Sequence, residues 1–317
     1  MHSKTEYIKI KMLTKYRALL AAVDCGTLTK AVETMHCTQS ALSRMIRDLE
    51  DIWGLQLLIR GKSGVRPTPD CLKLLPTVRR ICAGDAQLKE TIADIRGLAT
   101  GTVRIGVFSS IATFWLPRVI ARFKKQYPGI EFEILLGDYA EIESWVAQSR
   151  VDFGFVATPT IDSVKALPLH DDELLAILPC KHKLARKKAV KIEDLAQESL
   201  IMLEKGKRAE ISRLFESRNL APNVKFRTFD DYALLNMVEN GIAVGILPKL
   251  ILERLNYKVE VRPLKPRSYR EIALIVNDTV GLAPAAQRFL SVFNEELHPI
   301  FNRKPDFDAF FSDNFVR

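Results

Sequence analysis

Apolar residues recur at three- and four-residue steps over residues 12–24, where Leu13, Tyr16, Leu19, Leu20 and Val23 share one face. That spacing predicts an amphipathic helix. Gly26 ends it, and Thr27 offers a capping hydroxyl to a short second helix over 28–35 with Ala31 and Val32 inward. Thr38 caps a third helix that runs to Trp53 and closes at Gly54. Two short strands, 55–60 and 65–68, flank the turn Gly61-Lys62-Ser63-Gly64. Pro67 and Pro69 interrupt the chain, and a long helix follows over 70–96, about 40 Å at 1.5 Å per residue. Its apolar positions are Cys71, Leu74, Val78, Ile81, Leu88, Ile92 and Ile95, with Asp85 in a core position of the same heptad frame. So narrow a seam suits pairing with another helix; the alternative is a helix that covers a sheet of its own chain. Gly97 and Gly101 mark a linker.

From Thr102 the pattern changes. Strands are predicted at 102–108, from Ile130 with alternation at Phe132 and Ile134, and at 152–158, 173–179, 198–203, 224–229, 241–248 and 270–276. Helices fit from Ser109-Ser110 to about Gln126 and at 139–149, 209–218, 231–239, 249–255 and 284–297. Strand and helix in alternation predict sheets of parallel crossover units. The tail over 298–317 carries five phenylalanines (Phe301, Phe307, Phe310, Phe311, Phe315) among charges, which is too apolar for an inert end. It packs either on the body or on a partner.

The 317-residue length suits about two domains, and 47% hydrophobic residues suffice for real cores. Of a net charge of +9, +6 falls in the first 100 residues, which hold 16 Lys/Arg against 10 Asp/Glu. A basic end on a near-neutral body suggests a polyanion for that end. The five cysteines (Cys25, Cys37, Cys71, Cys82, Cys180) are scattered and form no CxxC pair, as in free thiols of a reducing cytoplasm. A redox pair brought together by the fold is the alternative. The start of the chain is charged throughout, without an apolar signal core, and nothing approaches the ~20 apolar residues of a membrane span. A cytoplasmic protein with no membrane partner is the expectation.

The third helix carries the chemistry. Leu42, Ile46 and Leu49 fall on one face, and Gln39, Ser40, Ser43, Arg44 and Arg47 on the other. Arg reads guanine and Gln reads adenine in bidentate fashion, while Ser and Arg also bond phosphate. A solvated polar face would look the same by charge alone. The order of parts separates the two readings: two short helices, a capped third, a hairpin with Arg60, Lys62 and Arg66 at its tip, then a pairing helix. That order is a winged helix-turn-helix, with Thr38, Gln39, Ser40, Ser43, Arg44 and Arg47 facing double-stranded DNA and the hairpin cations at the backbone or minor groove.

The segment TLTKAVETMHCTQSALSRMIRDLEDIWGLQLLIR (27–60) resembles the LysR-type transcriptional regulators, matching their signature at Ala31, Gln39, Ala41, Leu42, Ser43, Ile46, Leu49, Glu50, Gly54, Leu57 and Arg60. The resemblance continues through the long helix, TVRIGV, LPRVIARFKKQYPGIEFEI, LPCKHKLA and GIAVGILP. It departs at Val32, Ser40, Leu58, Ile59 and Pro69-Asp70-Cys71, and it stops short of the tail.

The resemblance implies an α/β protein with an all-α-type winged helix-turn-helix N-terminal domain (1–69), a linker or dimerisation helix and hinge (70–101), and an effector-binding domain (102–298). The last would be two-lobed and periplasmic-binding-protein-like, with lobe I at about 102–163 and 269–298 and lobe II at about 164–268, crossing near 158–169 and 261–268; 299–317 remain as a tail. It also implies a dimer or tetramer on an interrupted inverted repeat, RNA polymerase as partner and a small-molecule effector in the cleft. For that effector Ser109, Ser110, Thr158, Lys205, Lys207, Arg208 and Thr228 are candidates, since they lie at strand ends and before helices, where anions are held. Helix capping explains Ser110 and Thr228 equally well, and solvated charge explains Lys205, Lys207 and Arg208. An anionic metabolite fits the set. No cofactor or metal is expected. An enzyme finds no support in the motifs: GIAVGILP is not GxGxxG, neither GxxxxGK[ST] nor GxSxG occurs, and the five histidines lack metal-ligand spacing. A non-specific architectural DNA protein would leave the α/β body unexplained.

Overall fold

The protein is described from a computed structural model, over residues 2–61, 64–203, 210–253, 256–277 and 281–315; side chains of 2–11 and 312–315 lie outside the description. The chain divides into two compact units, Met1–Leu98 with Ala147–Arg150, and Ala99–Val146 with Val151–Arg317.

In the first unit, α1 runs over His2–Cys25, ten residues longer than the apolar periodicity predicts. Neither Pro nor Gly occurs before Gly26, so nothing in the backbone stops a helix already nucleated downstream. The centre of its buried face is Ala18, Leu19 and Ala22, small residues that allow close approach, while Leu13, Tyr16, Leu20 and Val23 border it. Helix α2 is Leu28–Met35, and the Thr27 hydroxyl accepts from the Lys30 amide at 3.3 Å. Helix α3 is Gln39–Trp53; Thr38 accepts from the Ala41 amide at 3.2 Å, and Gly54 closes it in the left-handed conformation at φ 64°. Strands β1 (Leu58–Gly61) and β2 (Gly64–Pro67) form the hairpin, pairing Leu58 with Pro67 and Gly61 with Gly64. The first strand is shorter than expected because the chain before it is used otherwise: the Glu50 carboxylate accepts from the amides of Leu57 and Leu58 at 2.8 and 3.2 Å. Gly64 is obligatory. Its φ is 115°, the Val65 amide donates to the Gly26 carbonyl at 2.8 Å, and a Cβ there would lie 2.3 Å from that oxygen.

Helix α4 is Pro69–Ile95, capped by the Thr68 hydroxyl on the Cys71 amide at 3.1 Å, with Pro69 in its first turn. Its first half is buried at Cys71, Leu75 and Val78, and burial pushes the Cys71 thiol up to about 11. Two ion pairs fix it to α1: Arg79 grips both oxygens of Asp24, and Arg17 reaches Asp85 at 2.6 Å. The second half leaves its heptad positions open, with Ile81 46%, Leu88 59% and Ile95 81% exposed.

The second unit holds one mixed sheet in the order β4-β3-β5-β11-β6-β10-β8-β9. Its strands are β3 (Gly101–Val107), β4 (Ile130–Leu136), β5 (Phe153–Ala157), β6 (Lys165–Pro179), β7 (Val190–Lys191, beside β11), β8 (Leu200–Leu203), β9 (Val224–Thr228), β10 (Val244–Pro248) and β11 (Val259–Val276). Parallel pairing, as expected, holds at the two ends, in β4-β3-β5 and β10-β8-β9. The middle is antiparallel, because β6 and β11 are single strands of 15 and 18 residues that run through both ends of the sheet. The expected crossing at 261–268 therefore lies inside β11, and the one at 158–169 enters β6 at Lys165. Their prolines and charges read as loop, yet the β11–β6 pairing absorbs them through a register shift between Pro263 and Ser268.

The helices are α5 (Leu116–Gln126, entered through a π-helical turn Ile111–Trp115), α6 (Tyr139–Ala147), α7 (Ile192–Ala196), α8 (Glu210–Glu216), α9 (Asp231–Glu239), α10 (Pro284–Leu297) and α11 (Phe307–Phe315). The helix expected at 249–255 is a 3-10 turn, Lys249–Leu252. One core is aromatic, joining Trp115, Phe123, Phe153, Phe155, Phe289 and Phe293; the other is aliphatic, around Ile177, Leu195, Ile201, Leu234 and Ile246. The sheet thus carries two lobes. The tail packs on the chain's own body: Phe301 is buried with its ring 5.4 Å from Trp115 and 6.1 Å from Phe293, and Phe307 and Phe310 are buried as well.

Candidate DNA-binding surface and ligand cavity

Helix α3 has two chemically distinct faces. Leu42, Ile46 and Leu49 are fully buried, which fixes the rotation of the helix about its axis. That rotation leaves Gln39, Ser40, Arg44 and Arg47 exposed and Ser43 half-buried. The exposed Thr38 serves its cap and meets Ser40 Oγ at 3.0 Å. Lys15 holds Asp48 at 3.0 Å; this hydrogen bond, followed by the nearby charges of Arg44 and Arg47, keeps the Asp48 carboxyl below the usual carboxylate range. Arg60 and Arg66 are exposed on the hairpin, on paired strands. Lys62 lies outside the described residues. Glu50 is the residue whose role sequence reasoning missed: it matches the family signature, and its carboxylate ties the end of α3 to the start of the hairpin.

In the second unit the hydroxyls of Ser109, Ser110 and Thr158 are bonded to distant partners, and that of Thr228 to a local one. Ser110 Oγ is buried and accepts from Arg270 Nη2 at 2.8 Å instead of capping the turn that follows it. Ser109 Oγ donates to Asp231 at 3.0 Å, and Thr158 Oγ1 donates to Glu271 at 2.8 Å. Thr228 Oγ1 accepts from the Asp230 amide at 3.1 Å, next to Asp230's own cap on α9. Lys205, Lys207 and Arg208 lie outside the described residues.

A cavity of about 460 Å³ opens beside these groups, lined by Thr158, Leu174, Glu210, Arg213, Leu214, Ser217, Ser268, Tyr269, Arg270 and Glu271. Of the candidates, Thr158 lines it directly, and Ser110 reaches its wall through Arg270. At its base sits a buried polar centre. Arg270, 6% exposed, donates to Asp172, 1% exposed, from Nε at 2.9 Å and Nη2 at 2.8 Å, and from Nη1 to the Tyr139 hydroxyl at 3.3 Å. Its guanidinium also lies 4.9 Å from the Phe108 ring. Asp172 accepts from the Leu250 amide at 3.0 Å on its other oxygen. Burial opposes the charge on Arg270, but Tyr139, Asp172 and Glu210 outweigh it and push the guanidinium's pKa up. Burial first, then the Glu210 carboxylate, push the Tyr139 phenol well above its usual value, so it stays a donor, and Glu210 is its acceptor. The Ser109–Asp231 and Tyr139–Glu210 bonds each join a group of the β3–β5 lobe to one of the β8–β10 lobe.

Sequence reasoning missed Tyr139, Asp172, Glu210, Arg270 and Glu271. A faint signal existed: Asp171-Asp172 and Arg270-Glu271 open apolar strand runs, where a charge is costly unless paired. The lining sets Glu210 and Glu271 against Arg213 and Arg270, so charge among the described residues does not single out an anion. Among the described residues, no cluster of His, Cys, Asp and Glu suits a metal ion, and no helix is long and apolar enough to cross a membrane.

Two family models match the chain: a bacterial regulatory helix-turn-helix protein of the lysR family over residues 13–72, and a LysR substrate binding domain over 96–298. The chain is 26% identical over 286 residues to an uncharacterized HTH-type transcriptional regulator, YvbU, of Bacillus subtilis, covering 89% of this chain and 98% of that one. It is 27% identical over 293 residues to the HTH-type transcriptional activator CmpR of a Synechocystis species, covering 89% and 95%. In fold it is similar to a full-length OxyR variant of Pseudomonas aeruginosa, with a TM-score of 0.73, 21% identity and coverage of 93% and 97%. A helix-turn-helix with its hairpin and a two-lobed ligand-binding unit occur here in one chain, and the protein belongs to the LysR family of DNA-binding transcriptional regulators.

Proposed function

We propose that this LysR-family regulator reads its promoter through Gln39, Ser40, Ser43, Arg44 and Arg47 of α3, with Thr38 at the helix start and Arg60, Lys62 and Arg66 on the DNA backbone or minor groove. The observation that carries the reading is the rotation of α3: three fully buried residues on one face leave the base-reading side chains on the other. Residues 1–69 are the DNA-binding part, 70–101 the linker and hinge, 102–298 the effector part. The open heptad positions of α4 suit a second copy of the chain, as a dimer or tetramer on an inverted repeat, with RNA polymerase engaged from the bound site in the cytoplasm.

The effector is a small molecule that enters the 460 Å³ cavity and competes for Thr158, Arg270 and the Tyr139–Glu210 bond. Ser110 belongs to the Arg270 network, Ser109 and Thr228 are offered as further contacts at the edges of the lobes, and Lys205, Lys207 and Arg208 precede α8 in sequence; an anionic metabolite remains the class these cations fit. A ligand acts only by favouring one lobe arrangement over another. Arg44→Ala and Gln39→Ala, titrated on specific and random duplexes at matched salt, test the DNA reading. Base contacts predict a loss on the specific duplex of about 1–3 kcal/mol. An equal loss on every duplex, with a shallower salt slope, would reduce these residues to phosphate grips.

A further inference from the structure

The family model ends at residue 298, and the segment beyond it is wired into the cavity wall. Strand β10 pairs with β6 only as far as Leu174, which leaves the peptide of Asp171 without a neighbour from β10. Asn302 takes that place: its Oδ1 accepts from the Asp171 amide at 2.7 Å, and its Nδ2 donates to the Asp171 carbonyl at 2.8 Å. Asp171 is in register with Glu271 of β11. Arg303 joins the two carboxylates, with Nη2 at 2.9 Å from Asp171 and 2.5 Å from Glu271. The other oxygen of Glu271 holds the Thr158 hydroxyl, and both residues line the cavity. Phe301 anchors the segment against Trp115 and Phe293.

We propose that the C-terminal segment from residue 298 is a latch on the effector cavity. Arg303 is its positioning residue, presenting Glu271 and Thr158 to the ligand while it staples the two strands that run through both lobes. A ligand that takes Glu271 weakens the staple, and release of the staple frees the lobes to rearrange. The carboxylates alone would repel each other across the β6–β11 register, so the bridging cation sets both their spacing and their direction. The inference rests on the reading of this cavity as the effector site.

The test uses the full chain with Arg303→Ala, Arg303→Lys and a form ending at residue 298. Amide exchange over 165–179 and 259–276 is measured alongside titration of the duplex upstream of the protein's own gene. Arg303→Ala is expected to speed exchange next to Asp171 and Glu271 about tenfold and to change promoter affinity about fivefold. Millimolar methylguanidinium is expected to restore both, and Arg303→Lys to retain part of each. The truncation, which also removes Asn302 and Phe301, is expected to exceed Arg303→Ala in both readouts and to show no rescue. Unchanged exchange overturns the latch, and so does faster exchange with unchanged promoter affinity, which makes the tail a packing element only. If the unaltered chain itself does not prefer its promoter duplex over random DNA, the regulator reading fails separately.

Discussion

Arg270 and Asp172 show what single residues contribute here. Each is a charge removed from water, and each is tolerable only because the other is present with Ser110, Tyr139 and the Leu250 amide closing the remaining valences. Asp172→Asn is expected to destabilise the chain by about 3–5 kcal/mol, since Arg270 is left buried without its counter-charge. The double variant Asp172→Leu with Arg270→Met is expected to recover most of that loss. Urea titration of the three proteins checks it, and a double variant no better than the single would contradict the pairing.

His170 makes a second prediction at this scale. Burial lowers its pKa from the ordinary 6.5, opposed by Asp172 and Asp171 and aided by Lys249 and Arg270; Arg303 from the tail pairs with that Asp171, and the Asn302 amide donates to His170 Nδ1 at 3.4 Å. The unfolded chain therefore takes up the proton more readily than the folded one. Stability is full above about 6.5 and falls as pH drops through that value toward the lower folded pKa. His170→Asn keeps an acceptor and is expected to flatten this slope in thermal melts from pH 7 to 5. These residues were hard to read in sequence because their partners lie 98 and 132 positions away. The strand-end rule led to Ser109, Ser110 and Thr158, but it carries no information about which distant charge each hydroxyl would meet.

Among the elements, those whose signals are local were legible and those held by distant pairing were not. Thr27 and Thr38 each cap the helix that follows, and Gly54 ends α3, as their positions suggest, because a cap is decided within four residues; Thr68, expected to close a strand, caps α4 instead. The antiparallel core of the sheet escaped notice because Pro168, His170, Asp171 and Asp172, like Pro263 to Arg267, break the apolar run that marks a strand. The hairpin lies between these cases: its two strands were legible and pair Gly61 with Gly64, but its start depends on Glu50, seven residues upstream of Leu57. Glu50→Ala leaves two amides short of an acceptor and is expected to cost about 1–3 kcal/mol. Because α3 itself stays capped, DNA affinity should fall while far-UV circular dichroism is preserved; wild-type affinity in Glu50→Ala would show that the tether does not matter to the hairpin's use.

For the whole molecule, the sequence pattern separated a basic helical beginning from an α/β remainder, and the family is evident in both parts. The tail lacked a pattern to decide what it covers, since phenylalanines spaced by charges suit a partner's surface as well as the chain's own. Its packing follows from Trp115 and Phe293, which offer an aromatic surface only once α5 and α10 are in place. Every role assigned to the two units depends on selective DNA binding. The measurement that tests it most directly is equilibrium titration of the full chain with the duplex upstream of its own gene, beside a scrambled duplex of equal length at the same salt. A preference of at least about a thousandfold for the former is expected. Equal affinity for both, with one shared salt slope, would contradict selective recognition and leave only sequence-independent binding to the phosphate backbone.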